Sequence, residues 1–361
     1  MASISAPLAS PGFALDRARR GRLWLVGVAI ALALTMLLAL MIGPVRMAPA
    51  EVLHALAQAI GLAGAEPSDF KAQVIAAVRL PRVVLCALVG AALGVSGAVM
   101  QGLFRNPLAD PGLIGVSAGG ALGAVLVIVL GARLGLPALG GFTLPIAAFA
   151  GALAVTAAIY RISQHEGKVI IPMMLLAGVA ANALAGALIG FMTFLSDEEQ
   201  LRLLTFWTLG SVGGASWAAS LPGMAVMLIA TALALRLARP LNALLLGEAD
   251  AVHLGVAVVS LKRRAALLTA LGVGAAVATS GIVGFIGLVT PHLVRLLSGP
   301  DHRYVLPLSA LTGAMVLSLA DLGARMVVVP AELPLGVVTA MIGAPFFLIL
   351  LLRQRASGAF G

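Results

Sequence analysis

Long apolar segments are the feature that most constrains this chain. About ten of them recur along its 361 residues, and a bilayer core needs about 20 apolar residues per crossing helix. With 61% hydrophobic and 10% charged residues, too little polar surface remains for a soluble domain. We predict an all-α, polytopic membrane protein with about ten transmembrane helices in a single domain, residues 1–361. The segments lie near residues 22–43, 80–103, 111–131, 139–160, 170–195, 217–238, 262–283, 284–297, 304–329 and 334–352.

The distribution of charge predicts the orientation of the chain. The net charge is +9, but there is no basic domain interleaved with aromatic residues, which argues against a nucleic-acid partner. Placing the N-terminus in the cytoplasm puts most Lys and Arg residues on the cytoplasmic side, as the positive-inside rule requires. Both termini are then cytoplasmic. This orientation defines a cytoplasmic tail at 1–21, an external loop at 44–78 with a short amphipathic helix around Glu51–Ile60, and a cytoplasmic loop at about 239–261.

Several kinds of site are missing from the sequence. The single cysteine, Cys86, lies in an apolar segment, and no Cys/His cluster has metal-ligand spacing, so we expect neither a disulfide nor a metal site. No phosphate-binding loop of the G-x-x-x-x-G-K-[ST] type occurs, so the chain should not hydrolyse ATP alone, and we assign no catalytic residue. Carboxylates are almost absent from the apolar segments, which disfavours the alternative of an ion-coupled secondary transporter.

Irregular segments between membrane-length helices indicate a transport path. Arg79 and Arg82 stand at the start of the second segment, and a polar, proline-bracketed loop at 101–112 follows it. Such backbone survives in a membrane only where protein or a watery cavity surrounds it. The short eighth segment points the same way, because broken helices often border a substrate route. Its predicted interruptions are Gly284, Gly287 and Pro291.

Two further features are candidates for contacts with other proteins. Asp321 and Arg325 lie one helical turn apart near the outer end of the ninth segment, as either a helix-surface ion pair or a docking site. The stretch 239–255 predicts two short helices with a turn at Gly247 and Glu248, an apolar face and an acidic tip. This ledge suits insertion into a groove of a partner, although a helix lying on the membrane surface is the alternative.

Six motifs occur along the chain: RLPR at 79–82, SGAVMQ at 96–101, NPLADP at 106–111, GFIGLVTPH at 284–292, DHR at 301–303 and ELPLGVVTA at 332–340. In this order they give the chain a close resemblance to the FecCD-type permeases, the membrane subunits of ABC importers for iron chelates, haem and cobalamin. The resemblance implies the type II ABC importer permease fold, located in the bacterial inner membrane and surrounded by the lipid bilayer. It also implies a homodimer, two copies of a separate ABC ATPase that binds the ATP, and a periplasmic substrate-binding protein that delivers the ligand.

The resemblance assigns two sets of partner contacts. Arg79, Arg82 and Arg325 would grip acidic residues on the binding protein, a task that suits guanidinium groups because they stay charged and make forked bonds to carboxylates. The ledge would be the coupling loop that receives the movement of the ATPase, although its last glycine falls one position off the spacing of the related motif in other importers. The coupling residues would be Gly247, Glu248, Ala249, His253, Leu254 and Gly255.

The resemblance also places the gate of the pathway. Asn106 and Leu108 would constrict its cytoplasmic end, and the fifth and tenth helices would line it. A second constriction would fall near Ile171, Pro172 and Met173. The vitamin B12 permeases carry small hydroxyl residues at the first two of these positions, so the gate chemistry differs here.

The substrate is predicted from one external stretch and from the lining helices. Residues 196–211 look like the haem-importing branch, so we predict haem, with a ferric siderophore or vitamin B12 as alternatives. The fifth and tenth segments contain no His, Tyr or Cys to ligate iron. Haem would therefore be a transported substrate that passes along an apolar pathway without ligands for its iron, and no cofactor would be bound permanently.

Overall fold

The structure is a computed structural model that describes residues 11–43, 47–59, 70–131, 135, 140–328 and 331–356. Most of these residues are helical, and the two short strands form one hairpin, β1 (Gln164–His165) and β2 (Lys168–Val169). The helices are α1 (Pro11–Met41), α2 (Pro49–Ala59), α3 (Phe70–Val74), α4 (Leu80–Phe104), α5 (Val116–Leu130), α6 (Thr143–Ile162), α7 (Ile171–Phe194), α8 (Glu198–Leu209), α9 (Trp217–Leu235), α10 (Ala238–Leu244), α11 (Glu248–His253), α12 (Val258–Ser280), α13 (Ile286–Ser298), α14 (His302–Val327) and α15 (Leu335–Ala356).

The ten predicted apolar segments each coincide with a helix, which confirms the all-α prediction. Six described helical stretches have the length and composition to cross a membrane, and α5, α13 and part of α15 are apolar but shorter. The total of about ten transmembrane helices therefore stays a prediction. The six stretches are Arg19–Met41, Phe70–Phe104, Gly140–Ile162, Ile171–Phe194, Trp217–Leu235 and His302–Val327.

Helices extend into two segments that the sequence predicts as a loop and a tail. The external loop was expected to extend to residue 78, but the chain is helical from Phe70 and runs through a π-helical turn at Ile75–Arg79 into α4. The wider turn lies just before Pro81, which has no N–H and crowds the carbonyl of the preceding turn. The helix α2 confirms the amphipathic helix expected in this loop. Helix α1 begins at Pro11, inside the expected tail 1–21.

Parts of these two predictions lie outside the described residues. They are residues 1–10 of the tail, together with residues 44–46 and 60–69 of the external loop. The predicted cytoplasmic location of both termini also concerns residues beyond the described ranges at either end, so it stays a prediction.

Small residues let the central helix α4 pack tightly against the second half of the chain. A Cβ atom added to Gly97 would lie 1.8 Å from the carbonyl oxygen of Gly287, and Gly90 and Gly313 approach each other in the same way. Lipid tails are as apolar as leucine, so such close backbone packing supplies much of the attraction between membrane helices. Helix α4 is accordingly buried along almost its whole length.

The eighth segment is broken at its start rather than along its length. Residues 281–285 form an irregular connection between α12 and α13, and Phe285 adopts a left-handed conformation with φ of 67°. Helix α13 then continues through Gly287 and Pro291, which were expected to interrupt it. Pro291 lacks the N–H that would bond the Gly287 carbonyl, and that carbonyl accepts instead from Nε2 of Gln101 at 3.5 Å.

Candidate functional sites

An arginine cluster joins three distant parts of the chain. Arg82, on α4, places Nη2 2.8 Å from Oδ1 of Asp321 on α14. The same guanidinium places Nη1 2.8 Å from Oε1 of Glu332, in the connection between α14 and α15. Arg325 lies one turn beyond Asp321, with Nε 3.2 Å from Oδ2. The arrangement satisfies one buried carboxylate with two guanidinium groups, as a buried charge requires.

Arg79 and Arg325 also hold the end of α1. The Arg79 side chain donates to the carbonyl oxygens of Leu40 and Met41, and Arg325 Nη2 donates to that of Ala39 at 3.3 Å. The last carbonyl groups of a helix have no partner within it. Two of the predicted docking arginines therefore cap α1 and tie it to the cluster.

The cluster is largely buried. Arg79, Arg82 and Arg325 are 5%, 8% and 6% exposed, and Asp321 is buried as well. Asp321 and Arg325 form the ion pair expected one helical turn apart, but α1 and α4 cover it, so it is buried and does not lie on the helix surface. Glu332 is the accessible member, with 43% of its side chain exposed. The hydrogen bond from Arg82 holds the pKa of the Glu332 carboxyl below its ordinary value.

The six predicted coupling residues lie together on the ledge. Gly247 caps the start of α11 with φ of 126°, a conformation that favours glycine, and Gly255 ends the turn after α11 with φ of 82°. Ala251 is fully buried and anchors the short helix, while Leu246 and Leu254 expose most of their surface. The ledge thus presents apolar side chains beside the acidic residues of α11, as the sequence predicts. The other predicted members, Glu248, Ala249 and His253, are exposed.

A buried lysine connects this ledge to the start of α7. Lys262, on α12, is 5% exposed, and its Nζ lies 2.6 Å from Oε1 of Glu248. The same Nζ donates to the carbonyl oxygen of Val169 at 3.0 Å. Val169 ends β2, two residues before Ile171 begins α7. One ammonium group therefore bridges a predicted coupling residue and the segment that carries a predicted gate.

The predicted gate residues occupy two adjacent segments. Asn106 is exposed in the turn after α4, where its Oδ1 accepts from the N–H of Leu108 at 2.9 Å. Ile171 is half-buried, and Pro172 and Met173 are exposed on the first turn of α7. The two segments lie at the same end of the helices, because the first third of α7 packs against the 3-10 turn at 111–114. A direct contact between the two predicted constrictions stays a prediction.

A cavity of about 520 Å³ lies between α4, α5 and α7. The two irregular connections, at 110–113 and 282–285, both contribute to its wall. Asn182 of α7 also lines it, and its Nδ2 donates to the carbonyl oxygen of Gly112 at 3.2 Å. Broken helices that share one cavity are typical of a substrate route between membrane helices. The side chains of α7 beyond this contact are mostly exposed and apolar, including Leu176 and Phe191.

Metal-binding groups are not gathered in the parts of the chain that the structure covers. Within residues 11–43, 47–59, 70–131, 135, 140–328 and 331–356, no three His, Cys, Asp or Glu side chains are grouped to hold a metal ion. The buried charges of the arginine cluster are instead satisfied by one another and by backbone carbonyls.

The fold, the broken helices and the exposed ledge define a polytopic membrane permease, which is a transport subunit rather than an enzyme. The chain belongs to the FecCD transport family, which it matches over residues 31–353. It is therefore a permease of the ABC importer class, and the resemblance found from its motifs is confirmed. Membership implies partnership with an ATPase and a substrate-binding protein, and a dimeric arrangement.

Proteins named for different substrates are similar to this chain in sequence. The chain is 50% identical to the hemin transport system permease protein HmuU of Yersinia pestis over 278 residues, 77% of this chain and 83% of the relative. It is 44% identical to the cobalamin import system permease protein BtuC of Halobacterium salinarum, over 82% and 79% of the two chains. The vitamin B12 import system permease protein BtuC of Klebsiella pneumoniae is 39% identical, over 94% and 96%.

A solved structure supports the architecture. An ABC transporter assigned to the metal-chelate type, in an inward-facing conformation, superimposes with a TM-score of 0.79 at 33% identity. The alignment covers 91% of this chain and 98% of that chain. The fold prediction is therefore confirmed at the level of an ABC transporter permease.

Sequence reasoning missed two residues that organise these sites. Lys262 was counted only as a cytoplasmic charge, although it falls in the buried stripe of α12 between Val258 and Ala265. That periodicity was a usable signal, because a charge on an apolar helical stripe needs a buried partner. Glu332 carried no comparable signal, since its partner Arg82 lies 250 residues away in the chain.

Proposed function

We propose that this permease imports haem across the bacterial inner membrane. In this proposal a homodimer encloses the pathway, two ATPase subunits bind the ledges, and a periplasmic binding protein delivers the ligand. The observation that carries the substrate is the 50% identity to a hemin permease, compared with 44% and 39% to two cobalamin permeases. Ferric siderophores and vitamin B12 are the competing substrates.

The chemistry of the α7 surface supports a flat, apolar substrate. Its exposed face carries Met173, Leu176 and Phe191, and no His, Tyr or Cys of α7 or α15 is available to ligate iron. An apolar wall lets the porphyrin ring pass without a strong binding site, because each step leaves the buried apolar area nearly unchanged.

The arginine cluster supports docking of an acidic partner at the outer end. Arg82 pairs with both carboxylates of the cluster, and Glu332 is the accessible one of the two. An incoming carboxylate that displaces Glu332 would accept from Arg82 Nη1 in its place, and the forked bond from Arg82 to Asp321 would remain. Because Glu332 is half-exposed, it is the carboxylate that can yield without opening the helices.

The buried lysine supports a route from the ATPase to the gate. Movement of α11 would act on Glu248, pass through Lys262 to the Val169 carbonyl, and so displace the first turn of α7. Ion-pair and hydrogen-bond chains between rigid elements are a physical means of such coupling. The gate residues Ile171, Pro172 and Met173 stand on the displaced turn.

Transport in a reconstituted system tests the substrate. The permease, its cognate ATPase and its binding protein would be placed in liposomes, and ATP-dependent uptake of haem, cobalamin and a ferric siderophore would be measured in parallel. Selective haem uptake is the expected result. Selective uptake of another chelate would overturn the haem proposal and keep the importer class, while uptake without ATP would favour a secondary transporter.

A further inference from the structure

A groove between α6 and α12 combines an apolar wall with a cationic end. Its volume is about 370 Å³, and it is separate from the cavity beside α7. The apolar wall is formed by Leu153 and Ala157 of α6 and by Leu267 and Ala270 of α12. Leu267 is more than half exposed, so the groove opens toward the surroundings of the protein.

Two arginines stand at one end of the groove. Arg161 is the penultimate residue of α6, and Arg263 lies in the second turn of α12. Both are exposed, and no carboxylate among the described residues forms an ion pair with either. The positive-inside rule places this end of both helices on the cytoplasmic side. The groove therefore presents two uncompensated positive charges at a membrane surface.

Two hydroxyl groups line the groove next to the arginines. Thr156 is 4% exposed, and neither its Oγ1 nor the Oη of Tyr160, one turn along α6, has a hydrogen-bond partner in the described part of the chain. Buried hydroxyls are normally hydrogen-bonded, so each of these two can donate to an acceptor oxygen that comes within reach in the groove. Polarity thus falls along the groove from cations, through hydroxyls, to purely apolar side chains.

We propose that this groove holds one anionic phospholipid. Its phosphate lies between Arg161 and Arg263, its ester oxygens accept from the hydroxyls of Thr156 and Tyr160, and an acyl chain follows the apolar wall. A free anion would leave the apolar length unfilled, and a zwitterionic lipid carries a second, positive group that opposes the arginines. Bulk acyl chains are as apolar as the groove, so the headgroup charge determines which lipid is retained.

Lipid exchange in nanodiscs tests the proposal. The purified permease would be placed in discs of phosphatidylcholine containing a minor fraction of phosphatidylglycerol, and the lipids that remain bound would be identified by native mass spectrometry. Each cation near an anionic headgroup is worth roughly fivefold in affinity, so we expect phosphatidylglycerol to be enriched by about thirtyfold over its share. Neither ATP nor a transported substrate is needed for this readout.

Matched double variants decide whether the groove is responsible. R161Q/R263Q should reduce the enrichment to the level of the surrounding lipid, whereas R236Q/R264Q removes two exposed arginines outside the groove and should leave it unchanged. Y160F should weaken retention of every lipid without altering the preference for the anionic one. Equal enrichment in the two double variants, no enrichment in the unmodified protein, or an intermolecular contact that buries the groove in a dimer would each overturn the proposal.

Discussion

Replacing Lys262 by methionine isolates the proposed link between the ledge and the gate. Methionine keeps an apolar stem in the buried site and removes the ammonium that joins Glu248 to Val169. The hydrogen bond to the Val169 carbonyl is buried and charge-assisted, and such bonds contribute about 1.5–3 kcal/mol. The pair with Glu248 contributes less than about 1 kcal/mol, because 45% of the Glu248 side chain is exposed.

These magnitudes set the expected loss of coupling. An interaction of about 1.5–3 kcal/mol corresponds to roughly 10- to 150-fold in an equilibrium, so transport per ATP hydrolysed should fall by about tenfold or more in Lys262→Met. Glu248→Gln should lower the same ratio by less than about fivefold, because it loses only the half-exposed ion pair. Hydrolysis by the ATPase itself should continue in both variants.

The assay measures uptake and phosphate release in the same proteoliposomes, so that the two rates share one protein concentration. Arg264→Met is the matched control, because it makes the same change in side-chain type at an exposed cation two residues away on α12. Thermal unfolding in detergent checks that every variant is folded. An unchanged ratio in Lys262→Met, or an equal fall in Arg264→Met, would refute the coupling route. Failure of the unmodified assembly to transport any chelate would instead count against the proposed function.

Three further predictions concern stability. Asp321→Asn removes the buried charge that pairs with Arg82 and Arg325 and should destabilise the protein by about 3–5 kcal/mol, whereas Glu332→Gln should cost less than about 1 kcal/mol. Equal shifts in the unfolding temperature would contradict this interpretation of the cluster. Gly97→Ala forces a Cβ atom against a carbonyl of α13 and should lower the free energy of unfolding by at least about 1–3 kcal/mol. Gly27→Ala is the control, because the added Cβ atom has no neighbouring atom within contact distance, and equal unfolding temperatures of the two variants would exclude close packing at α4. The pKa of Glu332 is lowered by the hydrogen bond from Arg82, so this bond should stabilise the protein at neutral pH and be lost as the pH falls through the lowered pKa. The difference in unfolding free energy between the unmodified protein and Glu332→Gln should therefore shrink over that pH range, and a constant difference would disprove the linkage.

Local patterns were enough to predict most of the helices. Apolar length alone located ten helical segments, and the motif 79–82 identified the arginines that enter the cluster. The two short helices of the ledge were also predictable, since Gly247 marks the turn between them. The position of Phe70–Arg79 was not, because a helix that continues outward past Pro81 depends on a π-helical turn with no clear signal in composition.

Apolar length and motif order were sufficient to establish the class of protein, its helices and its family, because both are properties of contiguous residues. Which charged groups contact one another depends instead on the packing of the helices. Arg82 pairs with Asp321 and Glu332, which lie 239 and 250 residues away along the chain, and Lys262 donates to the Val169 carbonyl, 93 residues away. The crossing of the helices determines these pairings, because a buried charge must be paired and can pair only with groups that helix packing places next to it.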